Sequence, residues 1–145
     1  MRIVQVLLLI FLFTGCLNEP DCLITSTNLV KINFKKDSKT SREITFTKIN
    51  VTGLTKNFYA GQKVTSVQLP VDPNADESVF EFYFEGRKET ILFSYKKRTE
   101  VISVACGAFT NYSDLSVSES TFELFNITNN QLLINATSNV EVFVK

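Results

Sequence analysis

Beyond residue 25 the chain alternates apolar and polar positions with a period of two. Val30, Ile32 and Phe34 interleave with Lys31, Asn33 and Lys35, the pattern of a half-buried strand. Ile44 and Phe46 begin a second strand, whose alternation slips at Lys48 and resumes at Ile49 and Val51, so a β-bulge or strand break is expected near Lys48. Val67 and Leu69 end a third segment at Pro70. Phe80, Phe82 and Phe84 share one face of a fourth, and Ile91, Phe93 and Tyr95 one face of a fifth. Between those two, Gly86-Arg87 predicts a two-residue hairpin of type II′ with Gly in its first central position. Residues 96–99 read as a polar turn into a strand over 101–106, on which Ile102, Val104 and Cys106 share a face directed at the core. A less regular strand over 109–117 is interrupted at Ser113-Asp114. Segments 122–127, 132–134 and 140–144, with a turn at Asn129-Asn130, complete an antiparallel meander. Strands at this spacing predict an all-β fold, a single antiparallel, immunoglobulin-like β-sandwich over residues 26–145.

The first 25 residues break this pattern. A basic Arg2 precedes the apolar run Ile3 to Phe13, interrupted only by Gln5, and small residues follow at Thr14 and Gly15. A run of eleven is shorter than the roughly 20 residues a membrane-spanning helix needs, so it reads as an export signal. Leu12-Phe13-Thr14-Gly15-Cys16 resembles a bacterial lipobox, with Phe13 where Leu, Val or Ile is usual. The reading divides the chain into a signal peptide (1–15), a lipidated N-terminus with a short tether (16–25) and the sandwich. The alternative is an ordinary cleaved signal with a coincidental cysteine. Glu19 and Asp21 in the tether would fit either a signal for display on the outer face or a plain solvated linker.

Composition narrows the chemistry. The chain has no His, which excludes Ser–His–Asp and Cys–His catalysis and imidazole metal sites. After residue 15 it carries 14 basic against 15 acidic residues, a balance that argues against a nucleic-acid partner. Three cysteines leave one over, and assigning lipid to Cys16 resolves the odd count. Cys22 and Cys106 then form an even pair in an oxidising compartment, where a bridge is expected. The other reading of Cys106, a redox thiol, needs an electropositive setting that Val104-Ala105-Cys106-Gly107 does not supply.

The two cysteines near the N-terminus, the segment Ser66-Val67-Gln68-Leu69-Pro70-Val71-Asp72-Pro73-Asn74-Ala75-Asp76 and the segment Ser103-Val104-Ala105-Cys106-Gly107 together resemble a family of small Bacteroidetes lipoproteins without an assigned activity. The resemblance implies an envelope location and a β-fold, and no reaction.

Five further features bear on function. Asp72, Asn74 and Asp76 place oxygen atoms at alternate positions like the start of a calcium loop, yet Glu77 and Tyr83 stand where an EF-hand needs Gly and Glu, so a rigid turn is the plainer reading. Lys96, Lys97 and Arg98, with Lys35, Lys36, Lys39 and Arg42, lie in two expected turns; if these share one pole they form a contact surface, and otherwise they are solvated lysines that protect strand edges. Glu81, Glu85, Glu89 and Glu123 read as a solvated sheet face rather than a glycosidase pair. Tyr59, Tyr83, Tyr95 and Tyr112 read mainly as core rather than a binding platform, and there is no Trp. Asn50, Asn111, Asn126 and Asn135 head formal glycosylation sequons that matter only in a eukaryotic secretory pathway.

The expectation is therefore a non-enzymatic outer-membrane lipoprotein. It needs no cofactor beyond the covalent lipid on Cys16, meets the membrane through that anchor, and serves a protein partner as an accessory subunit of an envelope assembly. The alternative is a surface module that captures a glycan, peptide or ion through loop 71–77.

Overall fold

The structure is a computed structural model that describes residue 22 and residues 24–145. Cys16 and the signal segment lie outside the described residues. Nine strands follow in order: β1 Leu29–Lys35, β2 Ile44–Val51, β3 Lys63–Val64, β4 Ser66–Pro70, β5 Glu77–Phe84, β6 Arg87–Ser103, β7 Gly107–Ser120, β8 Leu124–Ile127 and β9 Val140–Phe143. They form a four-stranded sheet, β4-β1-β9-β8, and a five-stranded sheet, β3-β2-β5-β6-β7. The all-β sandwich read from the alternation is present. One pairing departs from the antiparallel rule: β1 runs parallel to β9, with Phe34 opposite Val142.

Alternation builds the core because every second side chain of a strand points to the same face. Val30, Ile32 and Phe34 of β1 meet Phe46, Phe80, Phe82, Phe84 and Phe93 of the other sheet in one buried cluster. Phe34 lies 5.2 Å from Phe46 and 6.0 Å from Phe82, ring centre to ring centre, so the aromatic contacts cross between the sheets. Phe122 closes the cluster 5.6 Å from Phe82, edge to face. Each such ring, fully buried, stabilises the fold by roughly 1.5–3 kcal/mol.

The slip at Lys48 is a bulge: Phe46 pairs with Phe84 and Lys48 with Tyr83, two steps on β2 against one on β5. The interruption at Ser113-Asp114 is a second one, with Asp114 in a left-handed conformation (φ 54°) opposite Tyr95. The β5–β6 hairpin turns one residue earlier than expected. Phe84 pairs with Arg87, and the central residues are Glu85 (φ 49°) and Gly86 (φ 73°), a type I′ turn. Glu85 tolerates the left-handed region with its carboxylate ion-paired to Arg42, 3.0 Å away.

Three other expectations fail. Residues 96–99 are not a turn; β6 runs straight through them, pairing Lys96 with Ser113 and Thr99 with Thr110. Residues 101–106 are not a core strand; β6 ends at Ser103, Val104 to Cys106 form the turn, and β7 starts at Gly107 (φ 73°). Residues 132–134 also form no strand, but a loop that buried Asn139 holds by donating to the carbonyls of Asn129 (3.1 Å) and Gln131 (2.8 Å).

Candidate functional site

Three separate stretches converge where the described chain begins. Cys22 is bonded to Cys106, with Cα atoms 5.6 Å apart and a sequence separation of 84. Four residues on, Ser26 is buried and its hydroxyl donates to the Leu132 carbonyl at 3.2 Å while accepting from the Tyr112 N–H at 3.3 Å. The Val71 N–H donates to the Asn28 carbonyl at 2.8 Å, bringing in loop 71–77. This pole thus holds the N-terminal segment, loop 71–77 and the far part of the β6–β7 hairpin.

That part of the hairpin is an arm. Tyr95 and Tyr112 are the last buried residues on its two strands, their rings 5.9 Å apart; from Lys96 to Asn111 no residue is buried. Ladder hydrogen bonds continue to Ser103 and Gly107, so the arm is ordered without a core of its own. The expected bridge therefore exists, but it staples the N-terminal segment to the arm's tip and not to a core strand. The periodicity of Ile102, Val104 and Cys106 was that of a strand end and turn, whose apolar side chains face outward. Val101 is 77% and Val104 fully exposed.

Loop 71–77 uses its oxygens on the protein's own donors. The Asp72 carboxylate accepts from the Asn74 N–H at 2.8 Å, a local turn that holds the loop closed. The Tyr95 hydroxyl donates to the Asp72 carbonyl at 2.6 Å and lies 2.9 Å from the Ser78 hydroxyl, which in turn accepts from the Asp72 N–H at 2.8 Å. Burial pushes the Tyr95 phenol above its ordinary pKa. The Lys97 ammonium sits 3.2 Å from both the Pro73 carbonyl and the Asp76 carboxylate, placing a fixed positive charge beside two of the oxygens a bound ion would need. Gly53 packs against the Asp72 side chain so closely that any Cβ there would overlap its carboxylate. The arrangement is that of a braced turn.

The basic residues do not share a pole. Lys36, Lys39 and Arg42 follow the C-terminal end of β1, whereas Lys97 lies beside loop 71–77, which packs at its N-terminal end. Several are also ion-paired: Lys96 with Asp114 at 2.9 Å, which holds its ammonium pKa up, Arg98 with Glu100 at 3.0 Å, and Arg42 with Glu85 at 3.0 Å. The two clusters expected to form a single contact surface thus lie at separate ends of the domain.

The glutamates are likewise paired. Lys88 bonds Glu81 at 2.6 Å and, with the Tyr83 hydroxyl at 3.1 Å, holds the Glu81 carboxyl below the usual carboxylate range. Glu89 accepts from the Thr121 hydroxyl, and Glu123 pairs with Lys145 at 2.8 Å. Tyr95 and Tyr112 are core, as read. Tyr83 lies on the outer sheet face with the Lys48 ammonium 4.6 Å from its ring centre. Tyr59 accepts from the Gln68 N–H at 2.9 Å and so covers part of the β4 edge.

The feature the sequence reading missed is the exposed apolar cluster of this pole. Among the described residues six large hydrophobic side chains are exposed: Ile24, Val101, Ile102, Val104, Leu124 and Ile134. Five belong to this end, since Ile24 lies two residues from Cys22, the three from the arm lie within five residues of Cys106, and the Ile134 N–H donates to the Thr25 carbonyl at 2.9 Å. The signal available was the polar run Lys96 to Glu100, which ends the apolar alternation after Tyr95 and leaves Val101, Ile102 and Val104 beyond it with no buried neighbours in the strand.

Comparison with curated proteins and with solved structures found no match. A protein family does match, over residues 48–144, from the bulge of β2 through β9. The chain thus belongs to the family of unknown function DUF6452.

Proposed function

We propose that the chain is a non-enzymatic lipoprotein of a bacterial outer membrane, acylated at Cys16, that serves as an accessory subunit of an envelope protein assembly. The observation that carries the reading is the Cys22–Cys106 bridge. Such a bond belongs to an oxidising compartment, consistent with export. It also fixes the folded domain to a point six residues after Cys16, so an acylated Cys16 would hold the sandwich against the bilayer on a leash of about 20 Å. The resemblance to Bacteroidetes lipoproteins supports the same location. The ionic pairing of the glutamates and of loop 71–77 supports a binding rather than a chemical role.

Affinity purification of the tagged full chain from detergent-solubilised membranes tests the partner. The reading expects one co-purifying envelope protein in stoichiometric amount. Recovery of the lipoprotein alone would contradict it.

A second reading, a surface ligand-binding module, draws on a recess of about 530 Å³ lined by Leu29, Phe58, Tyr59, Gln68 and Pro70 rather than on loop 71–77. Its aromatic residues are already engaged: the Lys56 ammonium is 5.5 Å from the Phe58 ring centre, and Tyr59 is bonded to β4. We therefore place it behind the first. Saturable binding of a glycan or peptide to the purified chain, lost in Tyr59→Ala, would reverse the order.

A further inference from the structure

We infer that the tip of the β6–β7 arm is a second membrane contact, with Val101, Ile102 and Val104 seated in the lipid surface beside the acyl anchor. The inference rests on the lipoprotein reading and goes beyond it, because acylation alone leaves the orientation of the domain undefined.

Chain length limits how far the tip can stand from the anchor. The disulfide holds Cys22 beside Cys106, in the turn of the arm, and only five residues separate Cys22 from Cys16, a span of six residue steps. Fully extended, that segment reaches about 20 Å, so an anchored Cys16 keeps the arm's tip within that distance of the bilayer. The opposite pole, with Lys36, Arg42, Glu85 and Glu123, lies at the far end of β1. The tip that is brought near lipid carries three exposed large hydrophobic side chains, Val101, Ile102 and fully exposed Val104, with exposed Ile24 two residues from the bridged Cys22. Such side chains can enter the headgroup–acyl boundary to a depth of about 5–10 Å.

The arm's own charges fit this placement. Lys96, Lys97 and Arg98 are each ion-paired, and all lie towards the base of the arm, at least three residues from Val101. No unpaired charge has to leave water when residues 101–104 enter the boundary region. Ladder hydrogen bonds up to Ser103 and Gly107 satisfy the backbone between the two strands, and the polar headgroup layer hydrates the groups on the outer edges and in the turn.

The natural chain contains no Trp, so a single introduced indole reports its own position. Lipidated full-length Val104→Trp and, as a control at the other pole, Leu124→Trp are purified from membranes and reconstituted into phosphatidylethanolamine–phosphatidylglycerol vesicles, with and without bromine on the acyl chains. Both positions are exposed, so neither change disturbs the core. The expected result is blue-shifted emission of Val104→Trp, quenched about twofold by the brominated lipid, with Leu124→Trp unquenched. Co-flotation with vesicles but water-like, unquenched emission of Val104→Trp overturns the inference while leaving the anchor intact. Failure of either variant to carry lipid or to co-float overturns the anchor and the inference together. Shielding of Val104→Trp in native membranes but not in the protein-free vesicles assigns the tip to a protein partner and also overturns it.

Discussion

The sandwich body and the β6–β7 arm are made of the same kind of strand and are held by different forces. In the body, β5 presents Phe80, Phe82 and Phe84 to a sealed core, each almost wholly buried. In the arm, β6 continues for eight residues past Tyr95, from Lys96 to Ser103, mostly polar and none of them buried, with Val101 and Ile102 as its only apolar side chains. The body is therefore stabilised by burial and the arm by ladder hydrogen bonds and one covalent bond at its tip. Apolar alternation therefore marks the body and stops after Tyr95, while pairing with β7 carries the strand on without it.

Substitutions separate the two regions. The largest effect is expected for Phe82→Ala, which removes a ring packed against Phe34, Phe46, Phe80 and Phe122 and should cost about 3–5 kcal/mol in denaturant unfolding. Replacing both Cys22 and Cys106 by Ser releases the constraint on the unfolded chain, with an upper value of about 4.5 kcal/mol from loop entropy. Because both ends lie outside the core, roughly 2–3 kcal/mol is expected, with hydrogen exchange across residues 98–111 accelerating well before that of β5. Equal acceleration in arm and body would erase the distinction between them.

Tyr95 sits at the junction. Tyr95→Phe should cost about 1–2 kcal/mol through the lost hydroxyl contacts with Ser78 and the Asp72 carbonyl. It should also change the alkaline limb of stability. Burial raises the folded-state pKa of the phenol, so its contribution is fully present below the ordinary Tyr value of 10.0 and is lost as pH rises through the folded value. In Tyr95→Phe that part of the alkaline loss disappears. Glu81 gives the opposite sign: its carboxyl is held low by Lys88, so its contribution is present above the ordinary value of 4.5 and lost as pH falls. Lys88→Met should weaken that acid limb only slightly, since the pair is partly exposed. Smallest of all, Val104→Ser should change stability by less than about 0.5 kcal/mol, since the side chain packs against nothing in the body.

Most of the body was legible in the sequence because local alternation and burial agree there. Phe80 to Phe84 and Ile91 to Tyr95 fall on the expected faces, and the bulges at Lys48 and Asp114 appear as breaks in alternation. The hairpin turn was misplaced by one residue because Glu85, a residue with no special preference for positive φ, takes the first left-handed position. The parallel pairing of β1 with β9 joins segments about a hundred residues apart, and period-two alternation carries no information about such a partner. The arm was misread for a related reason. Val101, Ile102 and Val104 look like core residues, and the Lys-Lys-Arg run before them looks like a turn, until β7 is seen to pair along the whole length. The pairing of Cys22 with Cys106 was legible by counting; the place it staples was not.

The measurement closest to the central claim is the intact mass of the full-length protein extracted from membranes, followed by peptide mapping without reduction. The account predicts a chain that begins at an acylated Cys16 and retains a Cys22–Cys106 linked peptide. A chain with unmodified Cys16, or one whose N-terminus lies beyond it, would contradict the anchor on which the orientation of the arm depends.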